Sequence, residues 1–325
     1  MLIMYVHGIV FGMAIRKFDC LVIGDVIIDV FVESRGNSVP FLHGGTSYCN
    51  FAKIDFGGAG NVASALSLIG GKTSFIGKAG DDLWGRLYKE DLSTRGVAVE
   101  TFFEKGVSTG LALIVIGEKG ERSFYVFRGA NDRLSNKEID KSISLLEDSK
   151  YLYFSGYSLV ANPQRDAILR AVKLAKEHDV KVIFDPGSHN LIRSSFQLFS
   201  GLLDVCDIFC PNLEEAKAIT RTNNLATTIY ELQKKDVFSA LKCGASGCIL
   251  IEQKKCVKIP TFRVDCLDTT GAGDAFIGAL IYGLVNHLPL KFIGKLANWF
   301  AAQVVTQIGS RSFPTKSRID QFLED

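Results

Sequence analysis

The chain reads as an α/β fold: a mostly parallel central sheet flanked by helices, carrying a small β-sheet lid. Three observations predict it. Beyond about residue 150, short β-rich runs alternate with runs of helical spacing, the pattern of a parallel sheet covered on both faces. Ahead of them, residues 111–127 hold two β-rich runs around a Gly-containing polar turn, which is a hairpin signature. No internal repeat, low-complexity tract or Pro-rich linker divides the 325 residues, so they read as one domain.

The elements follow in order. Residues 20–24, Cys-Leu-Val-Ile-Gly, form a short β-rich run closed by glycine and read as a buried strand. Residues 30–55 are mixed and Gly-rich, with short apolar alternations. Residues 61–69 have helical spacing and stop at Gly70-Gly71, a helix C-terminus. Residues 74–77 read as a second strand, and 83–95 as a helix ending at Gly96. Later, 151–154, 181–185, 208–211 and 247–251 read as strands, with helices at 164–177 and 213–219. The lid comes from two excursions, about residues 31–56 and 106–128.

Composition narrows the function. Apolar residues make up 47% of the chain, ample for a core, and the net charge is +2. No basic stripe of the kind nucleic acids require is present. No apolar run reaches the roughly 18 to 20 residues of a membrane span. The eight cysteines are scattered, mostly inside apolar runs, which fits a reduced cytoplasmic setting. Cys206 and Cys210 have no matching second pair, so a zinc site is not expected. The apolar residues 1–12 lack the basic n-region and cleavage site of a signal peptide. Residues 1–15 are read as a dispensable extension, with the folded domain running from 16 to 325; a weak membrane anchor is the alternative.

The chemistry is concentrated in Asp268-Thr-Thr-Gly-Ala-Gly-Asp274. A Gly-rich turn there opens directly onto an apolar helical run. Gly271, Ala272 and Gly273 would offer backbone N–H groups at the positive end of a helix dipole, a ready anion site. Asp274 adds a carboxylate at its mouth. An anion hole beside a carboxylate suits phosphoryl transfer, in which the carboxylate takes the proton of the attacking hydroxyl. A plain helix start capped by Asp is the bland alternative. The chain has no G-x-x-x-x-G-K-[ST], so a P-loop mechanism is excluded. Gly58-Ala-Gly60-Asn-Val-Ala63 matches the dinucleotide fingerprint, but the first strand lies some thirty residues earlier, which argues against it.

Asp268-Thr-Thr-Gly-Ala-Gly-Asp-Ala-Phe276 resembles the C-terminal signature of the ribokinase (PfkB-type) carbohydrate kinases. Gly57-Gly-Ala-Gly-Asn61-Val-Ala and Gly77-Lys-Ala-Gly-Asp-Asp-Leu-Trp-Gly85 resemble the family's first signature. Asp185-Pro186 and Asn212-Leu-Glu-Glu215-Ala also match, and the similarity runs from about residue 18 to the C-terminus. The resemblance implies a ribokinase-like three-layer sandwich and ATP-dependent phosphorylation of a small sugar or sugar derivative. A nucleoside kinase of the same fold is the alternative, and a non-catalytic sugar-binding regulator a distant one.

The resemblance also assigns roles. Asp274 would be the base, and Gly271 to Gly273 the anion hole. Gly57, Gly58 and Asn61 would meet the sugar, as would Asp29, five residues after Gly24 at the end of the first strand. Asp25 is read as structural. Asn212 and Glu215, which have the form of a capping box, would lie near the phosphates and Mg²⁺, with Glu215 acting through water. Asp185 heads Asp-Pro-Gly-Ser-His, a departure from the family's usual Asp-Pro-Asn-x-Arg. Gly244 and Gly247 would flank the nucleotide base, and Asn298 the adenine. Backbone oxygens of Asp268 and Thr270 would help bind K⁺. Arg128 is a candidate clamp for an anionic substrate group, or a solvated strand end. Relatives often dimerise through their lids, which suggests a homodimer.

Overall fold

The computed structural model describes residues 3–6, 9–12, 16–34, 46, 48–117 and 122–324. In chain order the strands are β1 (Ile3–Val6), β2 (Ile9–Gly12), β3 (Phe18–Ile23), β4 (Val26–Ser34) and β5 (Cys49–Gly58). Then follow β6 (Thr73–Gly80), β7 (Ala98–Glu104), β8 (Gly110–Ile116), β9 (Arg122–Phe127) and β10 (Ser149–Ser155). The last are β11 (Lys181–Asp185), β12 (Ile208–Phe209), β13 (Phe238–Lys242), β14 (Cys248–Glu252) and β15 (Lys255–Ile259).

Nine strands form one sheet in the order β15-β14-β13-β12-β11-β10-β3-β6-β7. Seven of them, β13 through β7 in that order, run parallel; β14 and β15 close one edge antiparallel. Strand alternation feeds a separate core on each face of this sheet. Cys20 and Val22 of β3 point into one, with Ile183, Ile208 and Ala240. Leu21 and Ile23 point into the other, with Phe184, Phe209 and Leu241. The helices that cover these faces include the predicted ones, found at Gly60–Ile69, Leu83–Thr94, Gln164–Glu177 and Leu213–Thr220.

The lid is a four-stranded sheet, β5-β4-β8-β9. It starts earlier than the sequence suggests: β4 opens at Val26, two residues past β3, and β5 runs to Gly58. Parts of both expected excursions, residues 35–45, 47 and 118–121, lie outside the described residues. Register pairs Asp29 with Asp55 and Ala112, and Ala112 with Val126. Alternation therefore places Asp29, Ala112, Ile114, Val126, Phe124 and Arg122 on one lid face and Ile54, Leu111, Tyr125 and Phe127 on the other. Among the described residues, strands β1 and β2 of the expected extension pair with each other alone.

Two helix starts converge because their helices pack closely. A Cβ at Gly278 would lie 2.6 Å from the Cβ of Ala65, so glycine lets the helix Ala272–Val285 approach Gly60–Ile69. Asn61 and Asp274 sit in the first turns of these two helices, at the same end of the pair.

Candidate active site

A cavity of about 890 Å³ lies between the carboxyl ends of the parallel strands and the lid. Open α/β sheets bind ligands at this end. The ends of β11 and β13 bring Asp185 and Lys242, and the turn after β12 brings Asn212. Asp29, Gly58, Asn61, Glu215, Gly244, Gly247 and Asn298 line the same cavity, as do Thr270, Gly271, Ala272, Gly273 and Asp274. Of the residues expected in the site, Gly57 and Asp268 do not line it.

The Gly-rich turn has the geometry its sequence implies. Gly271 adopts a left-handed conformation, φ +78°, immediately before the helix Ala272–Val285. A side chain there would also overlap the Ser310 backbone. Asp274, third in the helix, accepts a 2.9 Å hydrogen bond on Oδ2 from Asn61 Nδ2. Burial pushes its carboxyl up to about 6; the Asn61 hydrogen bond opposes that rise, as do the nearby Lys242 and Arg311 charges. Such a group is ionised at neutral pH yet basic enough to accept a proton.

Asn61 is itself oriented. Its Oδ1 accepts a 2.8 Å bond from Arg311 Nε, and Arg311 pairs in turn with Asp91. The guanidinium lies over the rings of Tyr88 and Phe56. Nothing local in the sequence marked Arg311 or Ser310; only the fold brings them to Asn61 and Asp29.

Asp29 needs a correction of place. It does not end the first strand but sits inside lid strand β4. Its side chain is 6% exposed and accepts the Ser310 hydroxyl. Burial pushes its carboxyl up to about 7 despite that hydrogen bond. Gly57 makes room for it: a Cβ there would overlap the Asp29 carboxylate. Gly57 thus shapes the site from behind rather than facing the cavity. Asp25 lines the cavity and is held by Arg128 at 3.1 Å and Gln164 at 2.7 Å. Arg128 is a committed residue, since Asp132 at 2.6 Å and Gln164 also hold its guanidinium.

Asn212 and Glu215 form a full capping box: Asn212 N donates to Glu215 Oε2 at 2.7 Å, and Glu215 N donates to Asn212 Oδ1 at 2.9 Å. Burial pushes the Glu215 carboxyl up to about 7, with Lys242 opposing. Lys242, which the sequence presented only as part of a strand end, sits 3.3 Å from Asp185. Burial works against its ammonium, but Asp185 and Glu215 outweigh that and keep its pKa above the ordinary lysine value. A Cβ on Gly273 would lie 3.7 Å from Lys242 Nζ, so this cation borders the anion hole. Asn298 spends its amide on the Ile259 and Pro260 carbonyls, 3.1 Å each, and so holds the exit of β15.

Asp268 is fully buried beneath the turn. It accepts N–H bonds from Thr270 and Gly309, 2.8 Å each, and pairs with Arg122 of the lid at 2.9 Å. That guanidinium occupies the surroundings in which K⁺ was expected. A cation at the Asp268 and Thr270 carbonyls would share Asp268 with this guanidinium, while Thr270 Oγ1 is buried with no hydrogen-bond partner among the described residues.

A half-buried carboxylate beside a Gly-rich helix start, where the Ala272 N–H makes a long 3.3 Å bond to the Thr269 carbonyl, in a lidded cleft large enough for two small ligands, suits a small-molecule phosphotransferase. Comparison with known proteins agrees. The family model for pfkB family carbohydrate kinases matches residues 17–317, and the chain belongs to that family of sugar-phosphorylating enzymes. It is 29% identical over 321 residues to probable fructokinase-3 of Arabidopsis thaliana, spanning 93% of this chain and 90% of that one. Its fold matches adenosine kinase from Sinorhizobium meliloti with a TM-score of 0.86 at 25% identity, covering 94% of this chain and 99% of the other. It also matches a putative ribokinase II from E. coli, in complex with ATP and Mg²⁺, with a TM-score of 0.82 at 20% identity, covering 94% and 99%.

Proposed function

We propose that this enzyme transfers the terminal phosphoryl group of ATP to a hydroxyl of a neutral sugar, with Asp274 as the base. The observation that carries this is the Asp274 carboxylate, fixed by Asn61 at 2.9 Å in the first turn of a helix that opens on Gly271. The acceptor lies under the lid against Asp29, Gly58 and Asn61. Asp274 takes the proton of its hydroxyl, and the N–H groups of Gly271, Ala272 and Gly273 stabilise charge on the moving phosphoryl group. Lys242 faces the same charge. The adenine end lies toward Gly244 and Gly247, with Asn298 behind them.

Mg²⁺ would be held through water by Glu215, beside Asp185; both oxygens of Glu215 already bond Asn212, which suits an outer-sphere contact. The metal would neutralise charge between the phosphates. The E. coli protein of this fold is bound to ATP and Mg²⁺, which makes that pair the first donor to test here. K⁺ is not part of the proposal.

A neutral acceptor is supported by charge. The lid side of the cavity presents Asp25 and Asp29, while its Arg128 is bound by Asp25, Asp132 and Gln164. The plant relative's name makes fructose the first sugar to test. A nucleoside is the second reading, favoured by Phe124, a 56% exposed ring on the cavity wall that could stack on a base. The outer lid face carries Ile54, Leu111 and Phe127 exposed beside open strand edges, which supports pairing of two lids in a homodimer. Eight unpaired cysteines support a reducing, cytoplasmic setting. No helix among the described residues is long and apolar enough to cross a membrane.

The test is ADP release with Mg-ATP across sugars, sugar acids, sugar phosphates and nucleosides, with Asp274→Asn alongside. A hexose should drive turnover that falls by about 10² to 10⁴ in the variant. Turnover on nucleosides alone would overturn the sugar assignment, and an active Asp274→Asn would overturn the mechanism.

A further inference from the structure

Strand β9 lines the cavity with Val126 and Phe124, and the same alternation puts Arg122, at its start, on that face of the lid. Arg122 crosses to the far wall. Its Nη2 lies 2.9 Å from Asp268 Oδ1, and its Nη1 donates to Thr269 Oγ1 at 2.6 Å. Asp268 is 0% exposed, and among the described residues Arg122 is its one ion-pair partner. The same carboxylate fixes the N–H of Thr270 and of Gly309. It therefore joins the turn leading into Gly271 to the loop behind it, whose Ser310 backbone packs against Gly271.

The lid reaches this loop elsewhere too, with Ile308 packed against the lid core of Ile27, Phe31, Ala112 and Ile114. Lys53 of β5 donates to the Ile308 carbonyl at 2.7 Å, and Asp29 of β4 accepts from Ser310. Those contacts tie the lid to the loop, and among the described residues Arg122 is the cation that forms an ion pair with Asp268. A buried carboxylate without a charge partner is costly. The pair spans the lid and the turn before Gly271, so separating β9 from that turn would leave Asp268 without this partner. The closed lid and the ordered anion hole must then favour each other.

We propose that Arg122 is a built-in cation and latch. Its guanidinium neutralises Asp268 only when the lid is closed, holds the Thr269–Gly273 turn in register, and makes the enzyme independent of an added monovalent cation. This rests on the assignment of residues 271–274 to phosphoryl transfer. Arg122 is a positioning residue and touches neither substrate.

The experiment compares wild type, Arg122→Ala and Arg122→Lys in KCl and in tetramethylammonium chloride at equal ionic strength. Wild type should turn over equally in both salts. Arg122→Ala should lose about 10² in kcat, the order expected from a displaced catalytic loop. KCl or guanidinium chloride should restore much of that loss, and Arg122→Lys should retain most activity without added cation. Thermal unfolding gives a readout apart from activity: KCl should raise the Tm of Arg122→Ala and leave that of wild type unchanged. A wild type that needs K⁺, or an Arg122→Ala indistinguishable from wild type, would overturn the proposal. If Asp274→Asn is silent while Arg122→Ala behaves as wild type, the latch fails and the phosphoryl-transfer assignment stands.

Discussion

Replacing Asp29 with asparagine should make the protein more stable at pH 8. In the folded state burial raises this carboxyl from its ordinary 3.8 to about 7. Unfolded, it ionises near 3.9. Between those values the folded chain keeps a proton that the unfolded chain releases. Stability is therefore lost as pH rises through this window, and the loss levels off above about 7. At pH 8 the penalty reaches about 4 kcal/mol. The substituted asparagine would keep the shape and could still accept the Ser310 hydroxyl, but burying its amide costs about 2 kcal/mol. The net gain is about 2 kcal/mol, or roughly 3 °C in Tm for a chain of this size. At pH 5 the penalty is only about 1.5 kcal/mol, and the gain vanishes. Tm measured for both proteins at pH 5 and pH 8 checks this. An Asp29→Asn protein with the same deficit or advantage at both pH values would refute the reasoning. The same variant should bind its sugar more weakly, so stability and activity should move in opposite directions.

Three further outcomes are expected. The rate at saturating substrates should rise with pH through about 6 as Asp274 ionises, and Asn61→Ala should move that midpoint upward because the Asn61 bond favours the charged form; pH–rate profiles measure both. Gly271→Ala should cost roughly 1–3 kcal/mol from left-handed strain alone, with more from the clash on Ser310, seen as a lower denaturation midpoint together with lost activity. Lys242→Met should leave Asp185 and Glu215 facing each other without their ammonium, at a cost of about 3–5 kcal/mol, and should weaken ATP binding in calorimetry.

What the sequence revealed depended on how local each signal was. The turn at 268–274 was legible because glycines, helix start and carboxylate are contiguous. The helix Gln164–Glu177 was legible because its apolar residues recur at helical spacing. Strand β15 was not, since at the antiparallel edge most of its residues are exposed and no apolar run forms. Strand β7, the opposite edge, is half-buried and equally indistinct. Lys242 looks like any lysine at a strand end until β11 and the helix Leu213–Thr220 bring two carboxylates to it. Arg122 lies 147 positions from Thr269 and Arg311 lies 250 from Asn61, distances at which no periodicity speaks. The dinucleotide-like string at Gly58 is explained by its place: it follows lid strand β5, antiparallel to β4, and so lacks the parallel unit that fingerprint requires.

The cavity draws its two walls from parts of the molecule that answer to different constraints. Asp274 and Asn61 ride on interlocked helices, where one added methyl at Gly278 would disturb their spacing. The acceptor side is papered by alternate side chains of β4, β8 and β9, such as Ile27, Ala112, Ile114 and Phe124, none of which bonds the base. Phe124 is exposed and can be exchanged freely, whereas Ile27, Ala112 and Ile114 are buried in the lid core and call for changes that conserve volume. A library confined to them should yield catalysts with altered acceptor preference and unaltered pH–rate behaviour, a practical route to retargeting this enzyme.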